Sequence, residues 1–125
     1  TSNATERAAT ATLTNKRVTP RINSTTSTAT PSINTDTTDQ YNITALAVAI
    51  TSVTVTGTPT DGQKLMVRIK GDATPRAIAW GASFVASGYA PLLTSTVASK
   101  THMVSFVYDS AAAKWVCMAC DDAGY

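Results

Sequence analysis

Between Lys64 and Lys70 the chain reads KLMVRIK, and its chemistry alternates with a period of two. Leu65, Val67 and Ile69 fall on one side, Lys64, Met66, Arg68 and Lys70 on the other. Successive side chains of a strand point to opposite faces, so this stretch predicts a half-buried β-strand. The same period recurs in SVTVT (52–56), where Val53 and Val55 alternate with Ser52, Thr54 and Thr56. It recurs again in KTHMVSFVY (100–108), where His102, Val104, Phe106 and Tyr108 alternate with Met103, Ser105 and Val107. No stretch accommodates a long amphipathic helix, and a chain with 14% charged residues lacks the Glu and Lys that such helices need.

Turn chemistry separates these runs. GTPTDGQ (57–63) combines Gly, Pro, Asp and Gly, and predicts a hairpin joining 52–56 to 64–70. GDATP (71–75) is a second turn, followed by RAIAW with Ile78 and Trp80 on one face. SGYAP (87–91) marks an irregular excursion, because Pro91 makes a central strand improbable there. DSAAAK (109–114) predicts an antiparallel hairpin between 100–108 and KWVCMAC (114–120), whose two-sided apolarity places both strands centrally or at a subunit contact. Upstream, DQYNIT (39–44) reads as a short strand with Tyr41 and Ile43 on one face, and ALAVAI (45–50) as either one helical turn or a buried connection. Strands at intervals of about ten residues predict an all-β fold, an antiparallel β-sandwich or jelly-roll-like domain over residues 39–125.

Residues 1–38 differ in kind. They hold no aromatic and only four large aliphatics, Leu13, Val18, Ile22 and Ile33, too widely spaced for either periodicity. Such a segment cannot offset its ordering entropy alone, so it reads as an extended Thr/Ser-rich N-terminal arm or linker that lies against another surface. Within LTNKRVTPRI, the cations Lys16, Arg17 and Arg21 are the candidate partner-contacting residues, expected to pair with acids or carbonyls of a neighbouring chain. They do not argue for nucleic acid: net charge is +2, spread evenly along the chain, without interleaved aromatics. No apolar stretch approaches the ~20 residues that span a bilayer, and no signal peptide is visible at a start that is Thr rather than Met, which suggests a processed chain or a piece of a longer one.

Chemistry-bearing residues are sparse. Cys117 and Cys120 lack the two further ligands a structural zinc needs, and three positions apart on a strand they are expected on opposite faces, as small buried thiols. The lone His102 alternates with Val104 and Phe106, which favours packing over base catalysis. Asp61, Asp72 and Asp109 sit in turns, where aspartate caps backbone. The expectation is therefore no enzyme, no catalytic residues, no metal and no cofactor. Trp80 and Trp115 fall in phase with apolar neighbours and read as core, leaving Tyr89 as the candidate exposed aromatic. Lys64, Arg68 and Lys70 read as a solvated sheet face or a protected sheet edge.

The ordered series TLTNKRVTPR, TDQYNIT, GTPTDGQKLMVRIK, AIAWGASF and TSTVASKTHMVSFVYDSAAAKWVC resembles a small β-domain found at the ends of phage tail fibres and other virion appendage proteins. Its most specific elements are TPTDGQKL before an alternating strand, the Trp-Gly of AWGASF, and KTHMVSFVYD closely followed by KW. LTNK looks like the junction where a fibre shaft meets such a domain. The resemblance implies a structural or adhesive role in the virion, a homotrimer, contacts to other virion proteins through the arm, and contact with a host surface glycan or protein. The chain carries no shaft repeats, so it corresponds to a fibre or tail-tip knob or to a small capsid-bound decoration subunit. The alternative, from a different class, is a secreted carbohydrate-binding β-sandwich module, which requires exposed, roughly coplanar aromatics.

Overall fold

The computed structural model describes residue 12 and residues 14–125. The fold is all-β, with no helix among these residues, and holds eight strands: β1 (Ile22–Thr25), β2 (Ser32–Asn34), β3 (Gln40–Leu46), β4 (Thr54–Thr56), β5 (Lys64–Gly71), β6 (Phe84–Val85), β7 (Thr101–Asp109) and β8 (Lys114–Cys120). Six of them form one sheet in the order β1-β3-β5-β7-β8-β6, and β2 pairs with β4 in a second.

The large sheet is mixed, which corrects the antiparallel expectation. β5–β7 and β7–β8 pair antiparallel, the latter as the DSAAAK turn predicts, but β1–β3, β3–β5 and β6–β8 are parallel, as is β2–β4. The cause is a chain that alternates between sheets: β2 and β4 belong to one, β3 and β5 to the other, so each return lays down a parallel neighbour. GTPTDGQ accordingly makes no hairpin; it carries the chain from β4 across to β5. ALAVAI is a connection without helix, running from the end of β3 to an isolated parallel bridge between Ile50 and Ile78.

The two-stranded sheet continues through hydrogen bonds outside its named strands. Ile50 N–H donates to the Ala77 carbonyl at 2.9 Å, Ala79 N–H to the Ile50 carbonyl at 2.9 Å, and Ile78 N–H to the Thr94 carbonyl at 2.9 Å. Gly81 ends this run with φ +83; a Cβ there would lie 2.8 Å from Ser52 Oγ and 3.1 Å from the Val53 carbonyl, so the Trp-Gly pair reflects a tight approach of two backbones.

Both layers contribute to one core. Ile33, Ile50, Val53, Ile78, Trp80 and Leu93 meet Ile43, Leu65, Val67, Ile69, Val104 and Phe106, with Trp115 and Cys117 from β8. At its centre Trp80, Phe84 and Phe106 stack edge-on or tilted with ring centroids 4.9–5.2 Å apart, a geometry that complements positive ring edges with negative faces. The Trp80 indole N–H donates to the Leu93 carbonyl at 2.8 Å, so this indole is satisfied inside the core.

Of the segment read as an arm, residues 22–34 supply a strand to each sheet, and Ile33 is 1% exposed in the shared core. The surface that residues 22–34 lie against is their own chain's, and residues 1–11 and 13 of the segment lie outside the described residues.

Candidate functional site

Arg21 is the first site residue the fold places. The parallel register pairs Ile22 with Gln40, which sets Arg21 beside Asp39. The guanidinium Nε and Nη2 donate to the two Asp39 carboxylate oxygens at 3.1 and 2.8 Å, Nη1 donates to the Asp36 carbonyl at 2.7 Å, and the Asp39 N–H returns a bond to the Arg21 carbonyl at 2.8 Å. This bidentate clasp holds the Asp39 carboxyl well below its usual range, at about 2, through hydrogen bonds from the Arg21 side chain first and its backbone second. Arg21 thus pairs within its own chain, with Asp36 and Asp39 of the one loop that joins β2 to β3. Lys16 and Arg17 lie exposed ahead of it.

Tyr89 stands 92% exposed on the SGYAP loop, while Trp80 and Trp115 are buried. The Tyr41 ring is buried too, and its hydroxyl is pushed upward in pKa by that burial.

His102 is fully buried, with both ring nitrogens committed. Nε2 accepts the Val97 N–H at 3.0 Å, and Nδ1 lies 2.8 Å from the Asp121 carbonyl. A carbonyl can only accept, so Nδ1 carries the proton and the ring is the neutral Nδ1–H tautomer. It ties two loops together. The aspartates likewise serve backbone: Asp61 accepts the Ser110 N–H, Asp72 the Thr74 N–H, Asp109 the Ala111 N–H and Asp121 the Gly124 N–H, all at 2.9–3.0 Å. Among the described residues no three of His, Cys, Asp and Glu converge as metal ligands, and no helix is long and apolar enough to cross a membrane.

The cysteines depart from simple strand geometry. A β-bulge at Met118 lets Phe106 pair with Cys117 and Val104 with Cys120, both inward-facing partners, so the two free thiols share the core side. Burial first, and the neighbouring Cys117 second, push the Cys120 thiol up to about 11.

The remaining feature is the outer face of the large sheet. β5 is third of six strands, so Lys64, Arg68 and Lys70 line an open face and not an edge. Registers assemble that face in rows: Lys64 beside Val107 and Val116; Gln40, Met66, Ser105 and Ala119; Asn42, Arg68 and Met103; Lys70 beside Thr101. Its character changes along the strands. Near the start of β5 lie Met66, Val107 and Val116, and Val18 and Pro20 of the N-terminal segment line a hollow of about 590 Å³ together with Asp39, Lys64, Met66 and Ser105. At the other end Thr44, Arg68, Lys70, Thr101 and Tyr125 line an open hollow of about 250 Å³. Tyr125 reaches this face because its N–H and carbonyl exchange hydrogen bonds with Thr101 at 3.0 and 2.9 Å, extending the line of β8 beyond a turn. The Lys64, Arg68 and Lys70 pattern is plain in the sequence, whereas Tyr125 carries no periodic signal.

Compared with protein-family models, with curated proteins and with solved structures, the chain matches none of them.

Proposed function

We propose that this protein is a non-enzymatic phage virion structural protein, a fibre or tail-tip knob or a small capsid-bound decoration subunit, whose two sheets close as a sandwich or jelly-roll-like body. It acts in assembly as a homotrimer, located in the virion, with its N-terminal segment toward other virion proteins and its body available to a host surface glycan or protein. The observation that carries this reading is the outer sheet face: Met66, Met103, Val107 and Val116 are spread over three adjacent strands, interleaved with Lys64, Arg68 and Ser105, and Met118 is exposed on β8. An antiparallel sheet exposing one face to water normally alternates apolar with polar residues, so an apolar outer strip favours a protein partner. A second copy of the chain is the occupant this reading commits to. The N-terminal segment, with Val18 89% exposed, arrives at the same face, so arm and strip would meet a neighbour together.

Light scattering on the purified protein tests the assembly. The expected mass is three times 13.0 kDa, falling to 13.0 kDa when Val107→Glu places a charge in the strip. A wild-type chain that remains at 13.0 kDa at millimolar concentration would overturn the trimer. The secreted carbohydrate-binding alternative draws less support, since it requires exposed, roughly coplanar aromatics and both tryptophans, Trp80 and Trp115, are sealed in the core.

A further inference from the structure

Three arginines sit on or beside the sheets, in contrasting company. Arg21 is held bidentately by Asp39, and Arg76 by Asp72, through Nε at 3.2 Å and Nη2 at 2.7 Å. Arg68 is half-buried at the centre of the outer face, yet its guanidinium makes no ion pair and no hydrogen bond with any described residue. A planar fork of five donors, held by neighbouring strands and left without an acceptor, matches a carboxylate from outside the chain.

The surroundings narrow the chemistry. Lys70 stands two residues on, on the same face, and no carboxylate side chain lines the hollow that both share. Across it lies Tyr125, 66% exposed, its backbone fixed by paired hydrogen bonds to Thr101. The turn that returns it depends on Gly124, whose φ is +73 and where a Cβ would lie 2.7 Å from Lys100 Cβ. The main chain that carries the ring is therefore held beside Thr101. Thr44 and Thr101 add hydroxyls at the rim. Cations for a carboxylate, an aromatic face for the C–H side of a ring and hydroxyls for hydroxyls together describe one sugar unit bearing an acid group. The volume of about 250 Å³ suits one ring, below the ~300–1,000 Å³ of sites that enclose drug-sized ligands.

We infer that the hollow formed by Arg68, Lys70, Thr44, Thr101 and Tyr125 is a binding site for an acidic saccharide, with Arg68 and Lys70 on the carboxylate and Tyr125 stacked on the pyranose. The expectation that this saccharide belongs to a host surface polysaccharide rests on the virion reading; the binding itself does not.

Isothermal titration with tetragalacturonate tests it, with neutral maltotetraose and ring-free tripolyphosphate as comparison ligands. Tetragalacturonate is expected to bind, and both comparison ligands to bind at least about tenfold more weakly. Arg68→Gln and Tyr125→Ala should each raise the dissociation constant about tenfold or more, while Lys114→Gln, at the opposite end of β7 from the hollow, leaves it unchanged. All three positions face solvent, and near-ultraviolet circular dichroism of Trp80 and Trp115 verifies that each variant keeps its core. Absence of tetragalacturonate binding overturns the inference, as does equal binding of tripolyphosphate or unchanged affinity in both hollow variants. Light scattering on the same samples reports the assembly independently, so a trimer that binds no saccharide defeats this site alone.

Discussion

β7 presents two different problems on its two sides. Inward, His102, Val104 and Phe106 are each 0% exposed, locked among rings and hydrogen bonds. Outward, Met103, Ser105 and Val107 are only half-buried and lie level with Met66, Arg68 and Val116 of the neighbouring strands. A closed face must satisfy every atom within the chain, so its residues are determined by packing. An open face has no such obligation. Apolar groups stand there beside Arg68, whose guanidinium has no acceptor among the described residues, and the two proposals above assign them to contacts outside the chain.

The inner face should therefore break first. Phe106→Ala removes the hub of the three-ring cluster, and denaturant unfolding should lose about 3–5 kcal/mol, the cost of emptying an aromatic site in a packed core. His102→Ala comes next. It leaves the Val97 N–H and the Asp121 carbonyl without partners, at about 1–3 kcal/mol for each buried orphan, and should loosen the Tyr125 end of the sheet in hydrogen exchange. A smaller effect follows acidification. Asp39 has a folded-state pKa depressed to about 2 from its ordinary 3.8 by the Arg21 hydrogen bonds. Its clasp thus stabilises fully above about pH 4 and is lost as pH falls toward 2. Solvent screening limits this to about 1 kcal/mol or less, measurable as a smaller acid loss of stability in Asp39→Asn than in the wild type. Least affected is the outer strip: Met103→Gln and Val107→Thr should change monomer unfolding by no more than about 0.5 kcal/mol while weakening self-association. A large loss of monomer stability there would erase the distinction between the faces.

Much of the inner face was legible in the sequence. β5 and β7 announce themselves through a period of two, because one side is sealed and the other open, whereas β8 is apolar on both sides and was legible from the turn that pairs it with β7. β1 could not be read, since Ile22, Asn23 and Ser24 are all exposed and no buried side exists to impose alternation. Parallel pairing was illegible for another reason: GTPTDGQ has the chemistry of a hairpin turn, but which strands become neighbours depends on the crossing between sheets. The cysteines show the limit of counting positions, since a single bulged residue at Met118 reverses the face of Cys120. At the candidate site, Lys64, Arg68 and Lys70 were visible as a set, whereas Tyr125 joins them only through a turn around Gly124. The pairing of Arg21 with Asp39 spans 18 positions and depends wholly on the β1–β3 register.

That clasp also determines how the fold would bear load. β1 is an edge strand running parallel to β3, and Arg21 is the residue immediately before it. Tension applied through Pro20 along the strand direction would meet the Arg21–Asp39 bonds first and then the β1–β3 ladder in shear, with its bonds strained together instead of one after another. Pulled from that end, the molecule has a mechanical fuse at Asp39, and the force at which it gives way should fall as the carboxylate is protonated.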